Sequence, residues 1–185
     1  TAAEQAAQMG MHHDGIHYFP LEGSRRGLLV MNHEYVDDGL LHPDGLRSWS
    51  AEKVRKSQAA QGIAVIEVEQ GAGGAWRMVR PSRNARRIPA TTPFARGGPA
   101  ASHPLMRTAA DPAGHTVLGT FANCAAGRTP WGTYLSGEEN FRNYFAAGPQ
   151  RDAHQRRWGL GRNDFYRWSE HDERFDAAKH PNEPH

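Results

Sequence analysis

Residues 63–79 read IAVIEVEQGAGGAWRMV. From Ile63 to Glu69 β-branched and acidic residues alternate, the two-residue period of a half-buried strand. Gln70–Gly74 then carries three glycines, and Ala75–Val79 resumes an extended pattern. Strand, glycine turn, strand is a hairpin signal. Working outward, Ser50 reads as the N-cap of a helix over Ala51–Gln61 that Gly62 stops. Upstream, Ile16–Phe19 and Leu28–Asn32 flank the turn-rich Pro20–Gly27 and predict a second hairpin. Thr1–Met9 is Ala/Gln-rich and predicts a short helix closed by Gly10. Downstream, Arg80–Pro112 is rich in Pro, Arg and Gly with little periodicity. It reads as a long ordered loop, a kind of segment that is often functional. Strand patterns return at Thr116–Phe121 and Gly132–Ser136, and Asp172–His180 predicts a last short helix ended by Pro181. Short strands, glycine turns and no long helix predict an all-β fold with short helices in its loops. No internal repeat is visible. Lys179–His185 offers no closing strand or cap, so the chain is expected to stop within its fold.

The 185 residues suffice for a single domain with a real core. Lys+Arg 22 against Asp+Glu 20 leaves a net charge of +2, too even a balance for a nucleic-acid binder. Almost all the basic residues are Arg, whose planar fork suits phosphate, although such an excess also follows from base composition. A single cysteine, Cys124, excludes an internal disulfide framework. There is no apolar run of about 18 residues to span a membrane, and no signal-peptide pattern at the start.

Two clusters carry chemistry. In the first, Asn123-Cys124 is followed by Thr129-Pro130-Trp131-Gly132-Thr133 and then Glu138-Glu139-Asn140. A strand advances roughly 3.3 Å per residue, so a turn at Gly127–Pro130 can return Glu138 and Glu139 towards Cys124. Soft sulfur selects transition metals, whereas carboxylates suit Ca2+, Mg2+ or hard Fe3+, so the mixed set hints at iron beside calcium. Without a metal, Cys124 would be an inert buried residue and the two acids a solvated turn. In the second, His12-His13-Asp14-Gly15 and Asn32-His33-Glu34-Tyr35 each close a predicted strand. Glu34 is the best oxygen ligand there; the histidines lack helical i, i+4 pairing and read as polar loop residues. Arg77, Arg80, Arg83, Arg86, Arg87 and Arg96 are irregularly spaced and read as a solvated face. Trp158-Gly159-Leu160-Gly161-Arg162 lacks the ending of a phosphate loop, and Phe165, Tyr166 and Trp168 beside it read as core. Neither Gly-x-Ser-x-Gly nor His-Glu-x-x-His is present, which weakens serine-hydrolase and metalloprotease readings.

Gly10–Asp37 (GMHHDGIHYFPLEGSRRGLLVMNHEYVD) and Gly119–Phe145 (GTFANCAAGRTPWGTYLSGEENFRNYF) resemble the PhoX-type alkaline phosphatases. The second stretch is the more specific, with Asn-Cys-Ala, Thr-Pro-Trp-Gly-Thr and Glu-Glu-Asn in that order. The resemblance covers nearly the whole chain but only the front portion of the longer family members. It implies part of a six-bladed β-propeller, with residues 1–185 a single unit of it. It also implies twin-arginine export of the precursor to the periplasm or the exterior, and hydrolysis of small phosphate monoesters. The implied metals are a pair of Fe3+ ions with nearby Ca2+. Cys124 takes the place of the family's iron-binding thiolate, Glu139 that of a carboxylate ligand, and Glu138 and Glu34 those of further acid ligands. Catalytic and phosphate-binding residues are implied to lie in later blades. A monomer is expected, with neither nucleic acid nor a membrane span involved. The competing expectations are a calcium-stiffened secreted scaffold or binding module, and a propeller hydrolase of lactones or phosphodiesters.

Overall fold

The computed structural model describes residues 1–185. Strands β1 (His13–Glu22), β2 (Arg26–His33), β3 (Gly62–Gln70) and β4 (Trp76–Met78) form an antiparallel sheet in sequence order. The two predicted hairpins are both present, β1–β2 and β3–β4. Ahead of them α1 (Ala2–Gln5) is capped by Thr1, and between them α2 (Asp38–Leu41) is capped by Asp37. Helix α3 (Ala51–Ala59) starts as predicted: the Ser50 hydroxyl accepts from the Lys53 N–H at 3.4 Å. Its C-terminal end is closed by Arg87, whose guanidinium donates to the carbonyls of Ala59 at 3.0 Å and Gln61 at 2.8 Å.

The expected long loop Arg80–Pro112 instead contains β5 (Arg86–Ile88) and β6 (Thr92–Ala95). Strand β5 pairs with the first half of β3, and β6 pairs with β7 (Thr116–Gly119). Runs of three or four residues leave no period to read, and their partners come from distant sequence. Strand β8 (Asn123–Arg128) and β9 (Tyr134–Glu138) form a further hairpin, closed by a turn whose Thr129 N–H donates to the Thr133 carbonyl at 2.9 Å. The turn therefore lies later than the predicted Gly127–Pro130. After it comes α4 (Ala153–Arg157), capped by Asp152. The helix expected over Asp172–His180 reduces to one 3-10 turn at Glu173–Phe175. The chain there runs alongside Ala146, which donates to Phe175 at 2.9 Å and accepts from Ala177 at 2.7 Å, and burial of Phe175 and Ala177 overrides local helix preference.

Sheet predominates and every helix is short, in line with the all-β expectation. No helix is long and apolar enough to cross a membrane. The main core gathers Val54, Phe121, Tyr144, Phe145, Leu160, Trp168 and Phe175. Phe121 is its hub, with ring centroids 4.9 Å from Tyr144, 5.8 Å from Trp168 and 5.7 Å from Phe175. Such tilted and edge-on pairs add to the energy of area burial. Trp168 is fully buried as predicted, but Phe165, also expected in the core, is 78% exposed. Tyr166, stacked on Tyr144, occupies the place beside the core that Phe165 would need. A smaller cluster of Val30, Ile63 and Val65 lies on the sheet under Phe19 and Tyr134.

Candidate metal centre

Phe121 anchors the chain two residues before β8, and Gln61 holds the residue between. The Gln61 Oε1 accepts from the Ala122 N–H at 3.2 Å and from the Tyr144 hydroxyl at 3.0 Å. Strand β8 then bulges. Asn123 pairs with Glu138 and Ala126 with Ser136, so Cys124 and Ala125 together face Gly137. Strand β1 bulges as well: His13 pairs with His33 and Ile16 with Met31, so Asp14 and Gly15 together face Asn32. A bulge inserts a residue and re-aims side chains. Here the inserted pairs contain Asp14 and Cys124. Glu34 follows the end of β2, its N–H donating to the His12 carbonyl at 3.0 Å.

Ligand-type atoms of Asp14, Glu34 and Cys124 all lie within 4.8 Å of one another. Glu139 borders the same cluster. Burial first, then the charges of Asp14 and Glu139, raise the Glu34 carboxyl above its ordinary range. The Asp14 carboxylate beside it, then burial and the negative charges of Glu139 and Glu34, push the Cys124 thiol up to about 11. No Lys, Arg or His forms an ion pair with any of the four. Asp14, Glu34 and Cys124, with Glu139 at their border and no cationic side chain among them, are residues that could hold a cation, and a thiol in such a set suits a transition metal. Three of the six non-glycine residues with positive φ flank these ligands: His12 at 47°, Ala122 at 53° and Asn140 at 51°. Non-glycine residues in the left-handed region concentrate at functional sites.

The structure thus brings Cys124 and Glu34 together with Glu139 at the border, and adds Asp14, which the sequence shows only as a neighbour of the histidines. Gly15 was the available signal, since an isolated glycine at a strand start marks a bulge or a close backbone approach. Glu138 points elsewhere: its Oε1 accepts from the Thr120 hydroxyl at 2.5 Å and from the Phe121 N–H at 3.2 Å. Glu138 is the last residue of β9 and Glu139 lies just beyond it, its N–H donating to the Ala122 carbonyl at 2.8 Å. The histidines lie outside the cluster. His12 stacks on Tyr35 at 3.8 Å. His33 is a buried strand residue rather than a loop one, held neutral down to about 3 by burial and by the positive charge of Arg87. Of the loop arginines, Arg87 caps α3, Arg77 pairs with Glu69 and Arg96 bonds the Met106 carbonyl.

A small cavity of about 130 Å³ opens beside Glu34, lined by Tyr35, Asn140, Asn143, Tyr144 and Tyr166 and by no arginine. A groove of about 580 Å³ around Phe94, Glu138 and Arg174 contains none of Asp14, Glu34 and Cys124.

Known proteins speak to this geometry. A family model described as alkaline phosphatase PhoX matches residues 1–185. Among solved structures, Pseudomonas fluorescens PhoX in complex with vanadate, a transition state analogue, superposes with a TM-score of 0.94 at 46% identity. That match covers 99% of this chain and 32% of the Pseudomonas chain, so the residues described span about a third of that protein's length. Curated proteins provide no match. With the family model matched from end to end and a solved relative at this level of identity, the chain belongs to the PhoX alkaline phosphatase family.

Proposed function

We propose that the protein is a metal-dependent phosphatase that hydrolyses small phosphate monoesters, and that Asp14, Glu34, Cys124 and Glu139 hold its metal. The observation that carries this is the convergence of Asp14, Glu34 and Cys124 within 4.8 Å with no cationic side chain against them. Family membership and the vanadate bound by the Pseudomonas relative support the reaction class. The thiol and three carboxylates fit Fe3+ accompanied by Ca2+. A bound metal ion supplies charge neutralisation of phosphate oxygens and a Lewis acid for in-line displacement.

The chain's own residues prepare for this. Cys124 would bind a metal as thiolate, so its proton must leave Sγ, and the Asp14 carboxylate lies within 4.8 Å to take it up. The bulged strands fix the donors on rigid backbone, which transition-state stabilisation by preset charge requires. The coverage of 32% supports reading residues 1–185 as one portion of a longer β-propeller that brings further ligands and the phosphate-binding groups. Twin-arginine export, a periplasmic or extracellular location and a monomeric state complete the proposal.

Elemental analysis of the purified full-length protein, with assays on a chromogenic phosphate monoester, a diester and a lactone, tests it. Bound iron and calcium with hydrolysis of the monoester alone is the expected result. Calcium alone without hydrolysis would leave the scaffold reading, and preferred turnover of the diester or lactone would replace the monoesterase.

A further inference from the structure

Asn32 is fully buried, and its side chain meets both bulges. It sits opposite Asp14 and Gly15 in the β1–β2 ladder. Its Nδ2 donates to the carbonyl of Cys124 at 3.0 Å and of Ala125 at 3.1 Å, the two residues that the β8 bulge displaces from regular pairing. Its Oδ1 accepts from the Ser136 hydroxyl at 3.0 Å and the Tyr134 hydroxyl at 2.9 Å, and the same Tyr134 oxygen lies 3.1 Å from the Gly15 carbonyl. The amide therefore bonds the β8 bulge directly, and the Tyr134 hydroxyl beside it lies within hydrogen-bond distance of the β1 bulge at Gly15, its one proton shared between two acceptors.

The orientation of that amide is set from further away. Asn123, also fully buried, donates from Nδ2 to Ser136 Oγ at 2.8 Å and to Thr120 Oγ1 at 2.7 Å. Thr120 in turn donates to the Glu138 carboxylate at 2.5 Å. A carboxylate only accepts, so every proton in this chain has one direction: Thr120 towards Glu138, Asn123 towards Thr120 and Ser136, Ser136 towards Asn32, Asn32 towards Cys124. The Asn32 amide cannot flip without turning its oxygen onto the Cys124 and Ala125 carbonyls.

We propose that Asn32 is the positioning residue of the centre, and that the polar chain from Glu138 through Thr120, Asn123 and Ser136 locks the bulge that aims the Cys124 thiol. The proposal rests on the metal-centre reading above. It also gives Glu138 a function without ligation: it is the terminal acceptor that orients the chain.

Cobalt(II) titrated into the metal-stripped full-length protein tests this, because cobalt bound through Cys124 acquires a thiolate-to-metal absorption band. Asn32→Leu keeps about the same volume and loses all the bonds; its cobalt affinity is expected to fall about 10-fold or more, with a weakened band. Ser136→Ala removes only the hydroxyl that orients Oδ1 and is expected to shift both readouts in the same direction by less. Should Asn32→Leu fail to fold, Ser136→Ala decides alone. In a Cys124→Ser background, either substitution is expected to cost little further affinity, because the thiol it aims is gone. Equal losses in both backgrounds, or an unchanged affinity and band in folded variants, would overturn the proposal. No band in the unsubstituted protein would remove the metal-centre reading and this proposal together, whereas a strong band unmoved by the substitutions removes this proposal alone.

Discussion

Gly15 lies so close to Cys124 that a Cβ on Gly15 would stand 2.7 Å from the Cys124 carbonyl oxygen, and 2.5 Å from the Ala126 Cβ. The missing side chain is what lets β1 lie against β8 and brings Asp14 to the thiol. Gly15→Ala must push the strands apart, and overpacking of this kind costs about 1–3 kcal/mol. A lower thermal midpoint together with weaker metal binding is the expected outcome, measured by calorimetry with and without metal. A variant that binds metal as tightly as the unsubstituted protein would show that the close approach is not needed.

Cys124→Ser and Glu139→Gln each remove one donor while nearly preserving shape. Loss of iron and a fall in phosphatase activity of more than about a hundredfold, or roughly 3 kcal/mol, are expected of the full-length protein. Glu138→Gln is expected to keep far more of its metal than Glu139→Gln, since that side chain bonds Thr120 and the Phe121 N–H and its amide oxygen can still end the polar chain. Metal content of the three purified variants checks the distinction; parallel losses in Glu138→Gln and Glu139→Gln would contradict it.

Phe121 sits 4% exposed among Tyr144, Phe145, Trp168 and Phe175, and the centre hangs from the strand that follows it. Phe121→Ala is expected to cost about 3–5 kcal/mol of stability. Urea denaturation checks the figure, and a loss below about 1 kcal/mol would mean that the aromatic core closes over the gap.

Acid should weaken the sheet at Glu67. This buried carboxylate accepts from Ser82 at 2.5 Å, Asn84 at 3.0 Å and the Arg26 guanidinium at 2.6 Å. Those bonds, Ser82 first, hold it down to about 2 from an ordinary 4.5. The folded state therefore binds this proton less readily than the unfolded chain. Its contribution is complete above about pH 4.5 and is lost as pH falls towards 2. Glu67→Gln is expected to be less stable at neutral pH and to lose less on acidification through that window. Parallel stability–pH curves for the two proteins would show that the carboxylate carries no such linkage.

The hairpins at Ile16–Asn32 and Ile63–Val79 and the Ser50-capped helix could be read from the sequence, because alternation, glycine turns and caps act over a few residues. The Asn-Cys-Ala and Glu-Glu-Asn runs likewise marked Cys124 and Glu139, since a lone thiol near paired acids is an unusual combination of donors. What the sequence could not decide was that Glu138 turns to Thr120 and the Phe121 N–H, or that Asp14 stands beside the thiol. Those outcomes depend on two bulges that are defined only once β1, β2 and β8 pair, and strand register turns a side chain to one face or the other with a single-residue shift. Asn32 was visible as a polar residue in a strand, but its function required Cys124, Tyr134 and Ser136 to arrive from about a hundred residues away. Local propensity is a property of the chain; the convergence of buried donors and acceptors is a property of the packed fold.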